Sequence, residues 1–348
     1  MITIGNFTIS ENSKSFIIAE LSANHQQNKQ IAIDTIIAAK KAGADAIKLQ
    51  TYTPDTLTID CDNEFFQIGH GTLWDGKTLY SLYQEAYTPW EWHKELFDVA
   101  KEQGLICFSS PFDKTAVDFL ETLNVPAYKI ASFEIQDIPL IEYVASKGKP
   151  VIISTGIATK EDIQLAVDTC LNQGNKDIIL LKCTSSYPAP VELANLKTMV
   201  DMKDEFNVMV GLSDHTMGNT VPLVATALGG KVIEKHFILD KSLGGPDGEF
   251  SLDPESFAKM VDEVRLAEKA LGIVSYEVPE KVQKNRKFAR SLFIVKDINA
   301  GDIITEENVR SIRPGYGLHP KFLKDVIGKK IKTSVLRGTP LSMELIEN

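Results

Sequence analysis

Short apolar runs rich in β-branched residues recur along the chain as far as Gly272, and between them lie longer stretches in which apolar positions return every three or four residues. The short runs predict strands and the longer ones helices. Strands are expected at residues 16–20, 45–50, 105–109, 127–131, 150–154, 178–183, 207–213 and 231–236. Helices are expected at residues 29–42, 89–103, 114–123, 139–147, 160–172, 191–204, 219–228 and 253–271, the first closing on Gly43 as a C-cap. The strands are too apolar to have a wet face, which places them in a parallel sheet covered by helices. Eight such βα units predict an α/β fold, a closed (β/α)8 TIM barrel over residues 1–272. A doubly wound open sheet is the alternative.

Two stretches break the rhythm. The connection between Gln50 and the helix beginning near Pro89 is long for a compact domain, and such loops are functional or disordered. Its centre, Gly69-His70-Gly71-Thr72-Leu73-Trp74-Asp75-Gly76-Lys77, leads into Tyr80, Tyr83, Tyr87 and Trp90. This aromatic content predicts an ordered lid or pocket wall, with a dimer contact as the alternative. After Gly272 the chain turns polar and basic, and residues 273–289 read as a linker. Residues 290–348 then hold short strands and turns at 291–295, 300–305, 313–317 and 336–340, a small separate β-rich domain. A domain of that size is marginally stable alone and is expected to lean on something larger.

Composition narrows the partners. Hydrophobic content of 43% and charged content of 24% are those of a globular protein. No apolar run reaches the ~18 residues that span a bilayer. The start, Met1-Ile2-Thr3-Ile4-Gly5, has no basic stretch followed by an apolar one, so a cytoplasmic protein is the default expectation. Cys61, Cys107, Cys170 and Cys183 have neither metal nor disulfide spacing and read as reduced. With 37 basic and 47 acidic side chains the net charge is −10, which argues against nucleic acid or an anionic membrane as partner. An anionic substrate must therefore be held by local positive charge.

A barrel enzyme places its chemistry at the C-terminal ends of its strands, and polar residues gather there in every unit. They include Glu20, Lys48, Gln50, Ser109, Ser110, Lys129, Ser132, Glu134, Ser154, Thr155, Lys182, Thr184, Ser185, Tyr187, Ser213, Asp214, His215, Glu234 and His236. Lys48, Lys129 and Lys182, with Ser109, Ser110, Ser132, Ser154, Thr155 and the backbone at Gly156, form a ring suited to a small phosphorylated anion. His215 and His236 each follow a buried strand and are expected side by side, near Asp214 and Glu234. Two neutral imidazoles there suit a divalent metal completed by water or substrate oxygens. Histidines simply satisfied by hydrogen bonds at strand ends are the alternative. An enclosed Glu20 is a candidate general acid or base, or else the partner of a lysine. An anion site facing a metal site suggests two substrates, an anionic donor and an oxygen-rich electrophile.

Ala19-Glu20 with Asn24-His25, Lys48-Leu49-Gln50, Tyr128-Lys129-Ile130-Ala131-Ser132, Ser154-Thr155-Gly156, Tyr187-Pro188, Gly211-Leu212-Ser213-Asp214-His215, Glu234-Lys235-His236 and Gly245-Pro246-Asp247 together resemble the sialic acid synthase family. The C-terminal part resembles that family's antifreeze-like (SAF) domain. The loop Leu73 to Tyr80 and Tyr87-Thr88-Pro89-Trp90-Glu91-Trp92 are similar to its pseudaminic acid synthase branch. The resemblance implies condensation of phosphoenolpyruvate with an open-chain N-acylated deoxy amino sugar, 2,4-diacetamido-2,4,6-trideoxy-L-altrose in that branch, giving a nine-carbon 2-keto acid and phosphate by C–O cleavage. It makes His215 and His236 the ligands of a divalent metal, Mn2+ with Mg2+ or Co2+ as alternatives, and Glu20 and Glu234 catalytic residues. Lys48, Ser110, Lys129, Ser132 and Ser154 would bind phosphoenolpyruvate, and Gln50, Ser185, Tyr187, Ser213 and Asp247 would complete the substrate site. Arg313 matches an arginine that reaches the sugar's acyl group from the partner subunit, which implies a homodimer whose C-terminal domain caps the partner's active site. Ser185 stands where N-acetylneuraminate synthases carry asparagine, which points away from N-acetylmannosamine.

Other readings are an N-acetylneuraminate or legionaminate synthase, a phosphoenolpyruvate enzyme acting on a sugar phosphate, and a non-catalytic carbohydrate- or ice-binding protein. The sugar-phosphate reading needs a second basic cluster that the sequence does not offer. A mere binder gives no reason for the polar ring.

Overall fold

In a computed structural model that describes residues 1–69, 71 and 73–347, the chain opens with a hairpin absent from the strand pattern above. Strands β1 (Ile2–Ile4) and β2 (Phe7–Ile9) pair antiparallel about Gly5, whose φ of 59° is in the left-handed region that glycine adopts readily. Eight strands then close into a parallel barrel: β3 (Phe16–Glu20), β4 (Ala46–Thr51), β5 (Ile106–Pro111), β6 (Tyr128–Ile130), β7 (Val151–Ser154), β8 (Ile178–Cys183), β9 (Met209–Asp214) and β10 (Val232–His236). They neighbour one another in chain order and β10 returns to pair with β3, so the open-sheet alternative is excluded.

The side-chain period of two divides each strand between two cores. Ile17, Ala19, Ile47, Leu49, Ile178 and Leu180 pack outward with the helices. Phe16, Ile18, Ala46, Phe108, Ile152, Ile179, Leu181 and Val232 fill the barrel, together with Ile2, Ile4 and Ile9 of the hairpin, which closes the N-terminal end. Continuing the inward set toward the strand C-termini gives Glu20, Lys48, Gln50, Ser110, Lys129, Ser154, Cys183, Ser213, Glu234 and His236. The apolar floor is thus topped by a polar layer, fixed by the same alternation.

The outward-facing sequence candidates are accordingly not at the site. Ser109 exchanges a hydroxyl hydrogen bond of 2.6 Å with Thr51, Thr155 donates to Leu181 O, and Lys182 Nζ donates 2.6 Å to the carbonyl of Cys183. Asp214, expected beside the histidines, turns the other way to an ion pair of 2.5 Å with Lys235, a fully buried side chain.

The helices on the barrel are α1 (Lys29–Lys41), α2 (Pro54–Leu57), α3 (Leu79–Ala86), α4 (Trp90–Glu102), α5 (Lys114–Thr122), α6 (Ile138–Ala145), α7 (Lys160–Asn172), α8 (Lys197–Phe206), α9 (Thr220–Ala227) and α10 (Pro254–Leu271). Local sequence sets their ends. Asn28, Asp113 and Asp253 accept backbone hydrogen bonds as N-caps, and α7 starts with a capping box between Thr159 and Asp162. The helix expected from residue 191 begins only at Lys197, because Asn195 adopts a φ of 43° and breaks the turn formed by Val191–Leu193. The long connection after β4 is ordered by α2 and α3, each opened by a capping box. His70 and Thr72 of that connection lie outside the described residues.

The chain divides into two compact units, Met1–Gly272 and Ile273–Asn348. In the second, the stretch read as a linker holds a short helix, α11 (Glu280–Gln283), followed by the 3-10 turn Lys284–Phe288. β11 (Ser291–Ile294) pairs antiparallel with β12 (Val309–Ile312) over a small core that includes Leu292, Ile304, Val309 and Ile331. Of the four runs expected there, 291–295 alone contains a strand among the described residues, while 300–305 and 336–340 contribute isolated bridges at Ile303 and Pro340. No helix among the described residues is long and apolar enough to cross a membrane.

Candidate active site

At the C-terminal end of the barrel the polar layer lines a cavity of about 450 Å³, within the range of small-molecule sites. Of the residues singled out from the sequence, Glu20, Lys48, Gln50, Lys129, Ser132, Ser154, Tyr187, Ser213, His215, Glu234, His236 and Asp247 line it. Ser110 and Ser185 sit one hydrogen bond behind, receiving 3.3 Å from Lys48 Nζ and donating 2.8 Å to Ser132 Oγ, respectively. Arg313 belongs to the C-terminal unit.

The floor is a buried network of four charges. Lys48 Nζ lies 2.5 Å from Glu20 Oε2 and 3.8 Å from Glu234 Oε1, and Lys129 Nζ donates 3.0 Å to Glu234 Oε1. Strand register makes the first of these contacts, since Glu20 is opposite Lys48, and it also sets Glu20 beside His236 and Glu234 beside Ser213, while Lys48 and Lys129 reach Glu234 across the barrel. Burial, reinforced by the Glu234 charge, pushes the Glu20 carboxyl up to about 7 against the pull of Lys48. Burial acts the same way on Glu234, but Lys129 and Lys48 outweigh it and hold that carboxyl below its usual range. Two carboxylates on one floor are thus split into one that exchanges a proton near neutrality and one that stays ionised. Among the described residues, Glu20 Oε2 has the Lys48 ammonium as its one close charged neighbour, and Glu234 Oε2 lacks a hydrogen-bond partner.

The two histidines meet because β9 and β10 pair in the register Leu212–Ile233, Ser213–Glu234 and Asp214–Lys235, which brings His215 level with His236, and the strands pack tightly at Gly211. A Cβ there would fall 2.3 Å from Val232 O, so only glycine fits. The imidazole centroids are 5.2 Å apart, with Phe250 edge-on to both rings and Tyr187 tilted against His215 at 4.5 Å. His215 Nδ1 donates 3.0 Å to Thr184 O, so the neutral form of the ring carries its lone pair on Nε2; burial disfavours the charged form, but Cys183 and the Thr184 carbonyl outweigh it and raise the imidazole above the ordinary histidine value. Burial, with the positive neighbours His215 and Lys48, pulls His236 well below the ordinary histidine range, so its ring is neutral. His236 Nδ1 is buried with no hydrogen-bond partner among the described residues, and Asp247 Oδ2 stands 4.0 Å away. An orphaned lone pair beside an oriented imidazole is a donor set that fits a divalent cation. Among the described residues no cluster of three or more His, Cys, Asp or Glu surrounds one point, so water or substrate oxygens would have to complete the coordination.

The rest of the wall contains residues that the sequence reading passed over. Ser22 donates to Asp247 and receives 2.9 Å from Gln50 Nε2, tying strand β3 to the Gly-rich turn. Its signal was available, for Ser22 continues the inward series 16, 18, 20 beyond the strand. Cys183, read only as a reduced cysteine, lines the cavity 3.9 Å from His215 Nδ1. Glu134, noted at a strand end without a role, also lines it, with its carboxyl pushed up to about 7 by burial. Asn24 and His25 serve the fold instead: Asn24 Nδ2 donates 2.9 Å to Phe237 O, and His25 is buried between Thr88 and Trp92. The long connection supplies one side of the cavity, as a wall, and Trp74 Nε1 fastens it with a 3.0 Å hydrogen bond to Pro246 O.

Gly156 has a tight role beside Ser132. A Cβ there would lie 2.2 Å from Ser185 Oγ and 2.7 Å from Ser132 Oγ. Gly156→Ala is expected to break the Ser185–Ser132 hydrogen bond and destabilise the barrel by about 1–3 kcal/mol through overpacking. A lowered urea midpoint with an unchanged m-value would show it.

The NeuB family profile matches residues 35–276, and the SAF domain profile matches residues 289–347. The pseudaminic acid synthase of Campylobacter jejuni subsp. jejuni serotype O:2 is 52% identical over 338 residues, covering 97% of this chain and 98% of that protein. The pseudaminic acid synthase of Helicobacter pylori is 50% identical over 332 residues, covering 95% of this chain and 97% of the other. Among solved structures, the N-acetylneuraminic acid (sialic acid) synthetase from Leptospira borgpetersenii serovar Hardjo-bovis, in complex with citrate, superposes with a TM-score of 0.73 at 33% identity, covering 82% of this chain and 94% of that one.

Proposed function

The chain belongs to the NeuB family, and on that premise we propose that it acts as a pseudaminic acid synthase, a transferase that joins phosphoenolpyruvate to 2,4-diacetamido-2,4,6-trideoxy-L-altrose. The observation that carries this reading is the near full-length identity of 52% and 50% to two pseudaminic acid synthases. The floor of two lysines and two carboxylates beside paired histidines suits the reaction.

In the proposed reaction the methylene carbon of phosphoenolpyruvate bonds to the sugar's aldehyde carbon. Water adds to the resulting oxocarbenium carbon, and phosphate departs with the bridging oxygen, leaving the 2-keto acid. Lys48 and Lys129 would neutralise the donor's carboxylate and phosphate, with hydroxyls of Ser110, Ser132 and Ser154 around them. His215 and His236 would hold a divalent cation, Mn2+ with Mg2+ or Co2+ as alternatives, which when bound supplies Lewis-acid polarisation of the aldehyde oxygen. Gln50, Ser185, Tyr187, Ser213 and Asp247 would position the sugar.

Glu20 and Glu234 divide the proton traffic. An arriving dianion draws Lys48 away from Glu20 and adds negative charge, and both effects favour the protonated carboxyl. Glu20 is therefore assigned as the general acid that protonates the alkoxide oxygen formed from the aldehyde, and Glu234, held ionised, as the acceptor of the water's proton. Arg313 would reach the sugar's acyl group from the partner chain of a homodimer.

The test is product identity. With phosphoenolpyruvate carrying 18O at the bridging position, the chain should convert the diacetamido L-altrose sugar to a nine-carbon 2-keto acid and release the label in phosphate. Turnover of N-acetylmannosamine in preference to that sugar would contradict the assignment in favour of a neuraminate synthase.

A further inference from the structure

The cavity is built from two chemically different halves. Its floor is the polar end of the barrel, whereas the connection between β4 and α4 contributes Leu57, Ile68, Trp74, Leu79, Leu82 and Ala86. Tyr52 and Tyr83 stand edge to face beside them at 5.8 Å, and Tyr52 meets Phe112 at 5.1 Å. This side is held in place from within and from across the mouth. Ile68 and Lys77 are joined by a 2.9 Å backbone hydrogen bond, Lys77 pairs with Glu85, Tyr80 donates 3.2 Å to Asp55, and Trp74 donates to Pro246 O. The wall is therefore a preformed apolar surface.

The reacting end of a bound sugar must sit at the floor, near His215, His236 and the lysines. Its far end then extends to this wall. We propose that the α2–α3 segment is the specificity-determining surface for the sugar, an apolar subsite for methyl groups, namely the deoxy carbon at C6 and the acyl methyl at C4. The proposal rests on the synthase reading and goes beyond it by assigning the discrimination to Ile68, Leu79 and Leu82 in particular. Methyl groups gain from burial against such a wall, while a hydroxyl in the same place loses water and finds no hydrogen-bonding side chain on the aliphatic residues. A methyl or methylene in an apolar pocket is worth roughly 10–200-fold in kcat/KM.

Leu79, half-buried at the start of α3, is the position to change. Leu79→Asn keeps the side-chain size and brings polarity, and Leu79→Met keeps the polarity and changes the shape. Leu79→Asn should lower kcat/KM for the diacetamido trideoxy sugar about tenfold or more and shrink the preference for that sugar over its 6-hydroxy counterpart, with KM for phosphoenolpyruvate within about twofold of the parent. Leu79→Met should retain both. Should Leu79→Asn fail to fold, Ile68→Thr carries the same comparison. An unchanged preference in the polar variant, or an equal loss in Leu79→Met, overturns the proposal. If the unmodified protein turns over neither sugar, the synthase reading fails first and separately.

Discussion

Glu20→Gln should lower kcat by about 10²–10⁴, the range associated with losing a positioned proton donor. The amide preserves the shape of a side chain that is almost wholly buried and already receives 3.0 Å from Gln50 Nε2. The loss therefore reports chemistry more than collapse. Its signature is the pH profile. Burial pushes the Glu20 carboxyl up to about 7, and an acid must be protonated to act. In the parent enzyme kcat/KM should be flat below that value and fall tenfold per pH unit above it. The variant, with nothing to titrate at that position, should lose this alkaline limb. KM for phosphoenolpyruvate should not rise, because removing the carboxylate frees Lys48 for the donor. A variant that keeps the limb would show that another group supplies the proton.

The second large effect concerns Lys235, which stands between two functional neighbours in Glu234-Lys235-His236 and points away from both. It is fully buried, pairs with Asp214 at 2.5 Å and donates to Thr216 O. Lys235→Met would leave the Asp214 carboxylate buried without its counter-charge. Breaking a buried pair from one side costs about 3–5 kcal/mol. Urea unfolding should show that loss, and Lys235→Met with Asp214→Asn should recover part of it, since the stranded charge is then gone. An unchanged midpoint in the single variant would mean that the pair adds nothing to the fold.

These two residues also mark what the sequence conveyed. The number and order of the barrel strands were legible because each is an apolar run bounded by polar ends, and Glu20, Lys48, Lys129, Glu234 and the two histidines were legible as polar residues closing such runs. The facing of each residue was harder. Lys182 and Asp214 close their runs just as convincingly, yet period two turns them outward, and only an anchored register says which parity faces in. Ser22 and Cys183 were overlooked for the converse reason: they lie on the inward parity but carry no conspicuous chemistry. The hairpin β1–β2 was missed because two three-residue strands are too short to declare a period. The helices α2 and α3 were hidden in a stretch whose order comes from capping boxes and from the cavity wall they build.

The reaction proposed for this chain is a cation-assisted condensation at His215 and His236 with a diacetamido deoxy sugar. It is tested most directly by phosphate release from phosphoenolpyruvate, using metal-stripped protein with and without added Mn2+, in the presence of 2,4-diacetamido-2,4,6-trideoxy-L-altrose or N-acetylmannosamine. Turnover is expected only with the L-altrose sugar and only after Mn2+ is restored, together with loss of Mn2+ binding by calorimetry in His236→Ala. Full activity in the stripped protein, or release with N-acetylmannosamine alone, would contradict it.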